Sequence, residues 1–156
     1  MGSQANPKIT AKPTITLASK DANKPRLAVQ GRKVVATYTD RGKVKVRLSK
    51  NRGKDFGPPT TLIGSGTVKK PSRARSVDVF AQRIVVEAVK SAAGATTPQR
   101  YESVDLGATW TKRSFGHNGP RLGALRKTGS GVSMLAEAWL NNGATTDTLR
   151  AQYETP

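Results

Sequence analysis

Apolar and polar residues alternate with a period of two in short stretches along this chain. The alternation is strict from Lys43 to Leu48, which is typical of a strand with one buried and one exposed face. Helical periodicity is weak, and fifteen glycines and nine prolines separate the short apolar runs. The pattern predicts an all-β protein, with strands at 14–17, 25–29, 34–38, 43–48, 60–63, 75–79, 84–89, 100–102, 111–115, 120–125, 132–140 and 148–153.

The strand pattern repeats at intervals of about 50 residues, and Thr37, Glu87 and Glu137 occupy equivalent positions in it. Two units of four strands are followed by three strands of a third unit. The run at 14–17 resembles the fourth strand, which the third unit lacks. We therefore expect about three four-stranded units per chain.

The chain has the length of one domain, and we place that domain at 14–156. A flexible N-terminal arm is expected at 1–13, where the residues are polar and two prolines occur. The segment 92–98 is expected to be an inserted loop between two strands of the second unit.

Two eight-residue stretches of similar form follow the third strand of the first and second units. The second, Ser103 to Trp110, has the form Ser-x-Asp-x-Gly-x-Thr-Trp. Short serine and aspartate side chains accept hydrogen bonds from backbone N–H groups in a turn, and glycine adopts the positive φ that a tight turn needs. The candidate turn residues are Ser49, Asn51, Gly53, Phe56, Ser103, Asp105, Gly107 and Trp110.

These stretches resemble the Asp-boxes of the sialidase-like (BNR repeat) β-propeller family. The resemblance extends from about residue 14 onward and is specific only in the two boxes. It implies a six-bladed ring, which two chains of three blades would build as a twofold homodimer. The leading strand of each chain would then complete the last blade of the other. The alternatives are a fragment of a longer propeller and an unrelated β-sandwich.

A sialidase of this family, as the resemblance implies, needs three arginines, a nucleophilic tyrosine with a glutamate partner, and an acidic acid/base residue. The strands that begin at Arg26 and Arg121 loosely resemble the family's first strand, but both lack its proline. None of Tyr38, Tyr101 and Tyr153 can be assigned as the nucleophile. We therefore assign no catalytic residue and favour a non-enzymatic protein. A sialidase-like hydrolase or a glycan-binding lectin is the alternative, and a designed or excised fragment is a further one.

Composition excludes several kinds of site. The chain has no cysteine and a single histidine, His117, so we expect no disulfide, no metal site, no Ser-His-Asp arrangement and no cofactor. No apolar run approaches the roughly 18 residues of a membrane span. The polar start has no apolar signal segment, so the compartment is undetermined, although the family resemblance favours secretion if a leader was removed.

The net charge is +17, from 27 Lys and Arg residues against 10 Asp and Glu residues. Such an excess favours an acidic partner, either nucleic acid or an anionic glycan, and the alternative is a merely solvated basic surface. Part of it could also protect a strand edge against pairing. The candidate polyanion-binding residues are Lys43, Lys45, Arg47, Lys50, Arg52, Lys54, Lys69, Lys70 and Arg73.

Glu87 and Glu137 lie in the middle of apolar strands, where an unpaired carboxylate is costly. The structural interpretation, which we favour, pairs each with an inner-strand arginine such as Arg75 or Arg121. The functional alternative places a ligand site around a central channel, formed by Arg26, Arg75, Arg121, Glu87 and Glu137. The leading hypothesis is a non-enzymatic binding and assembly module that engages a polyanion through its basic surface.

Overall fold

The structure is a computed structural model that describes residues 14–67, 69–93, 95–113, 121–127, 133–141 and 148–154. From residue 113 onward it describes the backbone alone. The predicted arm at 1–13 lies outside the described residues. Within those residues the chain contains strands and turns but no helix, so the all-β prediction is confirmed and no helix could cross a membrane.

The strands form three antiparallel sheets, and each sheet follows chain order. The first sheet contains β1 (Ala22–Gln30), β2 (Lys33–Asp40), β3 (Lys43–Ser49) and β4 (Thr60–Ile63). The second contains β5 (Arg73–Phe80), β6 (Arg83–Ala92), β7 (Ala95–Ser103) and β8 (Thr111–Arg113). The third contains β9 (Arg121–Lys127), β10 (Ser133–Asn141) and β11 (Thr148–Glu154), with β10 in the middle.

The first two sheets have the same register. Val34 pairs with Val29 and Ser49, and Ile84, 50 residues later, pairs with Val79 and Ser103. The first strand of each sheet also has a bulge at the same place, after Asn23 in β1 and after Ala74 in β5. The repeat in the sequence is thus a repeat in strand pairing.

The core lies between the first and second sheets. One face of the first sheet contributes Val35, Val44 and Val46, and the second sheet contributes Ile84 and Val86. These side chains are at most 3% exposed, and their alternation along the strands matches the period of two. β5 also packs against β1 on one side and β9 on the other, so the sheets stack in chain order with their first strands adjacent.

The other face of the first sheet has no sheet packed on it within the described chain. Leu27 and Val29 on this face are 64% and 66% exposed. Their equivalents on the second sheet, Val77 and Val79, belong to the core, and Val79 is only 4% exposed. The same register position is therefore covered in one sheet and open in the other.

Two local expectations are wrong. Residues 14–17 form no strand, because they pair with no strand in the described part of the chain and the Leu17 carbonyl instead accepts a hydrogen bond from Arg47 Nη1 (2.7 Å). The predicted loop at 92–98 is a strand hairpin: β6 continues to Ala92 and β7 begins at Ala95. The two threonines there have branched side chains that suit a strand and extend the pairing.

Candidate functional site

The turn from Ser103 to Trp110, called here the Asp105 turn, is held by two side chains. The Ser103 hydroxyl accepts a hydrogen bond from the Gly107 N–H (2.7 Å) and donates one to Asp105 Oδ1 (2.8 Å). Asp105 also accepts hydrogen bonds from the Thr109 N–H (2.9 Å) and the Thr109 hydroxyl (2.6 Å). The Trp110 indole N–H donates to the Gly107 carbonyl (3.1 Å), which holds the ring over the glycine. The polar side chains of the motif are thus all used within the turn.

The turn from Ser49 to Phe56, called here the Asn51 turn, repeats this scheme. The Ser49 hydroxyl accepts from the Gly53 N–H (2.9 Å) and donates to Asn51 Oδ1 (2.9 Å). Asn51 Oδ1 also accepts from the Asp55 N–H (3.2 Å). The Asn51 amide nitrogen donates to Asp55 Oδ2 (2.6 Å), whereas the corresponding bond in the Asp105 turn runs from residue 109 to residue 105.

Both turns need a glycine at the same place. Gly53 and Gly107 have φ of 78° and 83°, in the left-handed region that favours glycine. Each turn is also tied to the preceding hairpin of its own sheet. Arg52 N–H donates to the Arg32 carbonyl (2.7 Å), and Leu106 N–H donates to the Gln82 carbonyl (2.9 Å).

The hydrogen bonds of the Asp105 turn change the acidity of its carboxyl group. The Thr109 hydroxyl and N–H, together with the Ser103 hydroxyl, lower the pKa of Asp105 to about 2. A carboxylate that accepts several hydrogen bonds is stabilised in its charged form. Asp105 therefore stays ionised throughout the neutral range and acts as a structural acceptor.

Glu87 forms an ion pair, but not with the arginine that we expected. It is 3% exposed and accepts a hydrogen bond from Arg100 Nε (3.0 Å), whose side chain is fully buried on the neighbouring strand β7. Arg75 lies on the opposite neighbour, β5, and is exposed. The pairing with Arg75 is therefore wrong, because Arg100 lies directly across from Glu87 in the strand register. No feature of the sequence distinguishes the two strands that neighbour Glu87.

A second buried ion pair was missed by the sequence analysis. Arg83 and Glu102 contact each other through Nε and Oε1, and both side chains are less than 9% exposed. Arg83 begins β6 and Glu102 lies near the end of β7. The two residues are therefore far apart in the sequence, and the sequence does not reveal their contact. Arg83 immediately precedes the apolar run 84–86 of β6, and this adjacency was the available signal.

The proposed channel residues are only partly brought together. Arg26 Nε donates to the Arg75 carbonyl (3.1 Å), so these two exposed arginines lie beside each other where β1 packs against β5. Glu87 is buried against Arg100 and does not join them. Glu137 pairs in register with Gly123 on β9, and Arg121 pairs with Trp139, but their side chains lie outside the described residues.

Tyr38 and Tyr101 have environments unlike that of an activated nucleophile. They are 6% and 8% exposed, and burial raises the pKa of both phenols above the ordinary value. The Tyr101 hydroxyl donates a hydrogen bond to Gln99 Oε1 (2.7 Å). A phenol that acts as a nucleophile needs stabilisation of its charged form, which burial opposes.

Two of the nine predicted polyanion-binding residues have internal partners. Lys45 pairs with Asp40 (2.7 Å), and this contact lowers the pKa of the carboxyl. Arg47 donates to the carbonyls of Gly57 (2.7 Å), Phe56 (3.0 Å) and Leu17 (2.7 Å). The other seven are exposed and form no ion pair within the described chain: Lys43, Lys50, Arg52, Lys54, Lys69, Lys70 and Arg73.

The described acidic side chains, unlike most of the predicted polyanion-binding residues, all make contacts within the protein. Seven acidic side chains are described, and every one has an internal contact. Asp21 pairs with Arg41 (3.6 Å), and Asp78 accepts a hydrogen bond from the Val79 N–H (2.8 Å). The other five have the contacts given above: Asp40, Asp55, Glu87, Glu102 and Asp105. Within this region, the outward-facing charge is therefore overwhelmingly positive.

The described residues thus form an all-β protein built from stacked antiparallel sheets. No protein-family model matches the chain, and no curated protein matches it in sequence. Within the described residues, no group of three or more histidine or acidic side chains could hold a metal ion.

Proposed function

We propose that the chain is a non-enzymatic binding and assembly module whose basic surface engages a polyanion, either nucleic acid or an anionic glycan. The observation that carries this proposal is the unequal use of charge. All seven described acidic side chains have internal contacts, whereas seven of the nine predicted basic residues face solvent and form no ion pair within the described residues. Unpaired surface cations gain free energy when they release the counterions of a charged polymer.

The positions of these cations favour a broad contact over a single pocket. Lys50, Arg52 and Lys54 project from the Asn51 turn, while Lys69, Lys70 and Arg73 lie around the connection from β4 to β5. Contacts of this kind recognise phosphate or sulfate groups and carry no sequence information. The partner is therefore defined by its charge density.

Salt dependence tests the proposal. We expect binding to a DNA duplex or a sulfated polysaccharide to weaken roughly 1,000-fold between 50 and 200 mM salt, as for about six phosphate contacts. The double variant Lys50→Gln/Lys54→Gln should reduce the slope of log K against log salt by about 2. A matched control is Lys45→Gln, whose lysine already has an internal partner and should change the slope little. Binding that is absent, or insensitive to salt, would refute the proposal.

The sialidase-like alternative has less support. Glu87 is committed to Arg100, and burial raises the pKa of Tyr38 and Tyr101. The aromatic and acidic side chains of the Asp105 turn are used within that turn. A glycan-binding lectin specific for a neutral sugar would bind with almost no salt dependence, and so the same titration separates it from the leading proposal.

For the assembly, we propose half of a six-bladed Asp-box propeller, closed by a second copy of the chain. The repeated register, the stacking of first strands and the two similar turns support this proposal. The open face around Leu27 and Val29 supports it further, since the equivalent face of the second sheet is covered by the first sheet. In the described chain the third sheet has three strands, one fewer than each of the other two sheets.

A further inference from the structure

A cavity of about 380 Å³ lies between the β4–β5 connection and the β6–β7 hairpin. One wall is formed by Ser65, Gly66, Thr67 and Lys70 of the connection. The other wall consists of small residues, which leave the space open: Ser91, Ala92, Ala93 and Ala95. None of the described residues that line it is acidic.

The connection is fixed in place by the fully buried Ser72. Its hydroxyl donates to the Ser65 carbonyl (2.6 Å) and accepts from the Ser91 N–H (2.9 Å), so one side chain joins both walls. Its N–H donates to the Gly42 carbonyl (3.0 Å). Gly66 is also closely packed, since a Cβ at this position would lie 2.2 Å from the Gly42 carbonyl oxygen. The cavity wall is therefore organised before any ligand arrives.

Three donor groups of this wall have no acceptor within the described chain. Lys70 is exposed and forms no ion pair within the described chain. Ser65 Oγ is shielded from solvent and has no hydrogen-bond partner there, which is costly for a buried hydroxyl. Thr67 Oγ1 accepts a hydrogen bond from the Lys70 N–H (3.1 Å), which leaves its own proton free to donate.

We propose that this cavity binds one phosphate or sulfate group, held by the Lys70 ammonium and the Ser65 and Thr67 hydroxyls. A tetrahedral oxyanion accepts several hydrogen bonds at once, and those from a charged donor are the strongest. The described lining residues include no carboxylate, so they do not repel an anion. Only the source of the bound group rests on the proposed function. A polyanion would supply the group as part of a polymer, and a free phosphate or sulfate ion has the same chemistry.

The test is an NMR titration of the full chain with sodium sulfate, and separately with phosphate, against sodium chloride at equal ionic strength. Saturable shifts are expected for the amides of the two cavity walls. Lys70→Ala should weaken binding about tenfold, the loss expected for one charge-assisted hydrogen bond. Lys69→Ala is the matched control, because it removes the same charge from an exposed neighbour that does not line the cavity. It should change binding less than about twofold.

Ser65→Ala provides a second test that does not depend on a charge change. Its hydroxyl has no internal partner in the described chain, so the fold should be kept while sulfate binding weakens by about threefold to tenfold. Shifts that never saturate, or equal losses for Lys70→Ala and Lys69→Ala, would overturn the site. The salt-dependent binding of a polymer would be untouched by that result.

A titration with a sulfated oligosaccharide and a short DNA duplex distinguishes the sources of the anion. If a polymer supplies the bound group, Lys70→Ala should weaken polymer binding more than Lys69→Ala does. If the two variants weaken polymer binding equally, while only Lys70→Ala weakens the binding of free sulfate, the cavity binds a free ion. Sulfate binding without any polymer binding would support the site and refute the proposed function.

Discussion

In the first and second sheets, a serine at the end of the third strand holds the turn that follows, yet the partners of that serine differ. In the Asp105 turn, the carboxylate of residue 105 accepts a hydrogen bond from the Thr109 hydroxyl. In the Asn51 turn, the amide nitrogen of residue 51 donates a hydrogen bond to the Asp55 carboxylate. The residues at both positions differ between the two turns, yet each turn has one donor facing one acceptor. Both turns thus have a hydrogen bond across these two positions, and the donor is the second residue in one turn and the first residue in the other.

The same comparison extends to the rest of the two sheets. Thr37 and Glu87 occupy one register position and are both buried, but only Glu87 forms an ion pair. Val29 and Val79 occupy another register position, and only Val79 is covered. Residues at equivalent register positions therefore contribute differently to stability, depending on which side chains pack against them.

Truncation of the buried ion pair should have the largest effect. Glu87→Ala leaves the fully buried Arg100 without this carboxylate, and we expect a loss of about 3–5 kcal/mol in the free energy of unfolding. The matched change in the first sheet is Thr37→Val, which removes a buried hydroxyl that has no hydrogen-bond partner among the described residues. That variant should be neutral or slightly stabilised. Urea unfolding at one fixed protein concentration measures both, and equal losses would contradict the comparison.

Truncation of the two equivalent valines should have an intermediate effect. Val79→Ala removes methyl groups from the core, and we expect a loss of about 1.5–3 kcal/mol in the free energy of unfolding at every protein concentration. Val29→Ala should leave the unfolding of the dilute single chain almost unchanged and weaken only the association. Thermal unfolding over a range of protein concentrations separates these effects. A large loss for Val29→Ala in dilute solution would show that its face is already covered within one chain.

The strands were largely predictable from the sequence, because a half-buried strand shows its alternation directly. Val44 and Val46 are buried between Lys43, Lys45 and Arg47, as the pattern from Lys43 to Leu48 indicates. The strand at 14–17 was predicted incorrectly because a β-like composition does not provide a neighbouring strand. The hairpin at 92–95 was missed because its alanines and glycine carry little strand signal.

The contacts of long polar side chains were much less predictable. Alternation places Arg47 on one side of β3, but it does not show that three carbonyls from two other segments meet its guanidinium. Glu87 was expected to need a partner, and the identity of that partner depended on the register with β7. The cavity beside Lys70 depends on the contacts of Ser72 with both walls, which no local pattern reveals.

Exchange of the turn residues should have the smallest effect and a clear dependence on pH. The folded-state pKa of Asp105 is about 2, below the unfolded value of about 3.9, so its contribution to stability is present above pH 4 and is lost as the pH falls towards 2. Asp105→Asn should remove this part of the acid sensitivity. Thermal unfolding between pH 2 and pH 7 gives the measurement, and an unchanged acid profile would contradict the role of Asp105.

Asn51→Asp is the reciprocal variant, and its pH dependence should have the opposite sign. It places a second carboxylate against Asp55, in place of the amide nitrogen that now lies 2.6 Å from Asp55 Oδ2. Repulsion between the two carboxylates raises their pKa values, so the variant should be destabilised at neutral pH and recover as the pH falls. A variant as stable as the parent at pH 7 would show that the two positions are independent.

The solution mass, measured by light scattering at moderate and high salt, tests the proposed assembly most directly. We predict a stable mass of two 16.6-kDa chains at both salt concentrations, because apolar contacts at Leu27 and Val29 would hold the copies together. Leu27→Asp should reduce this mass to one chain while strand content is kept. A parent protein that is a monomer under all conditions would contradict the six-bladed ring.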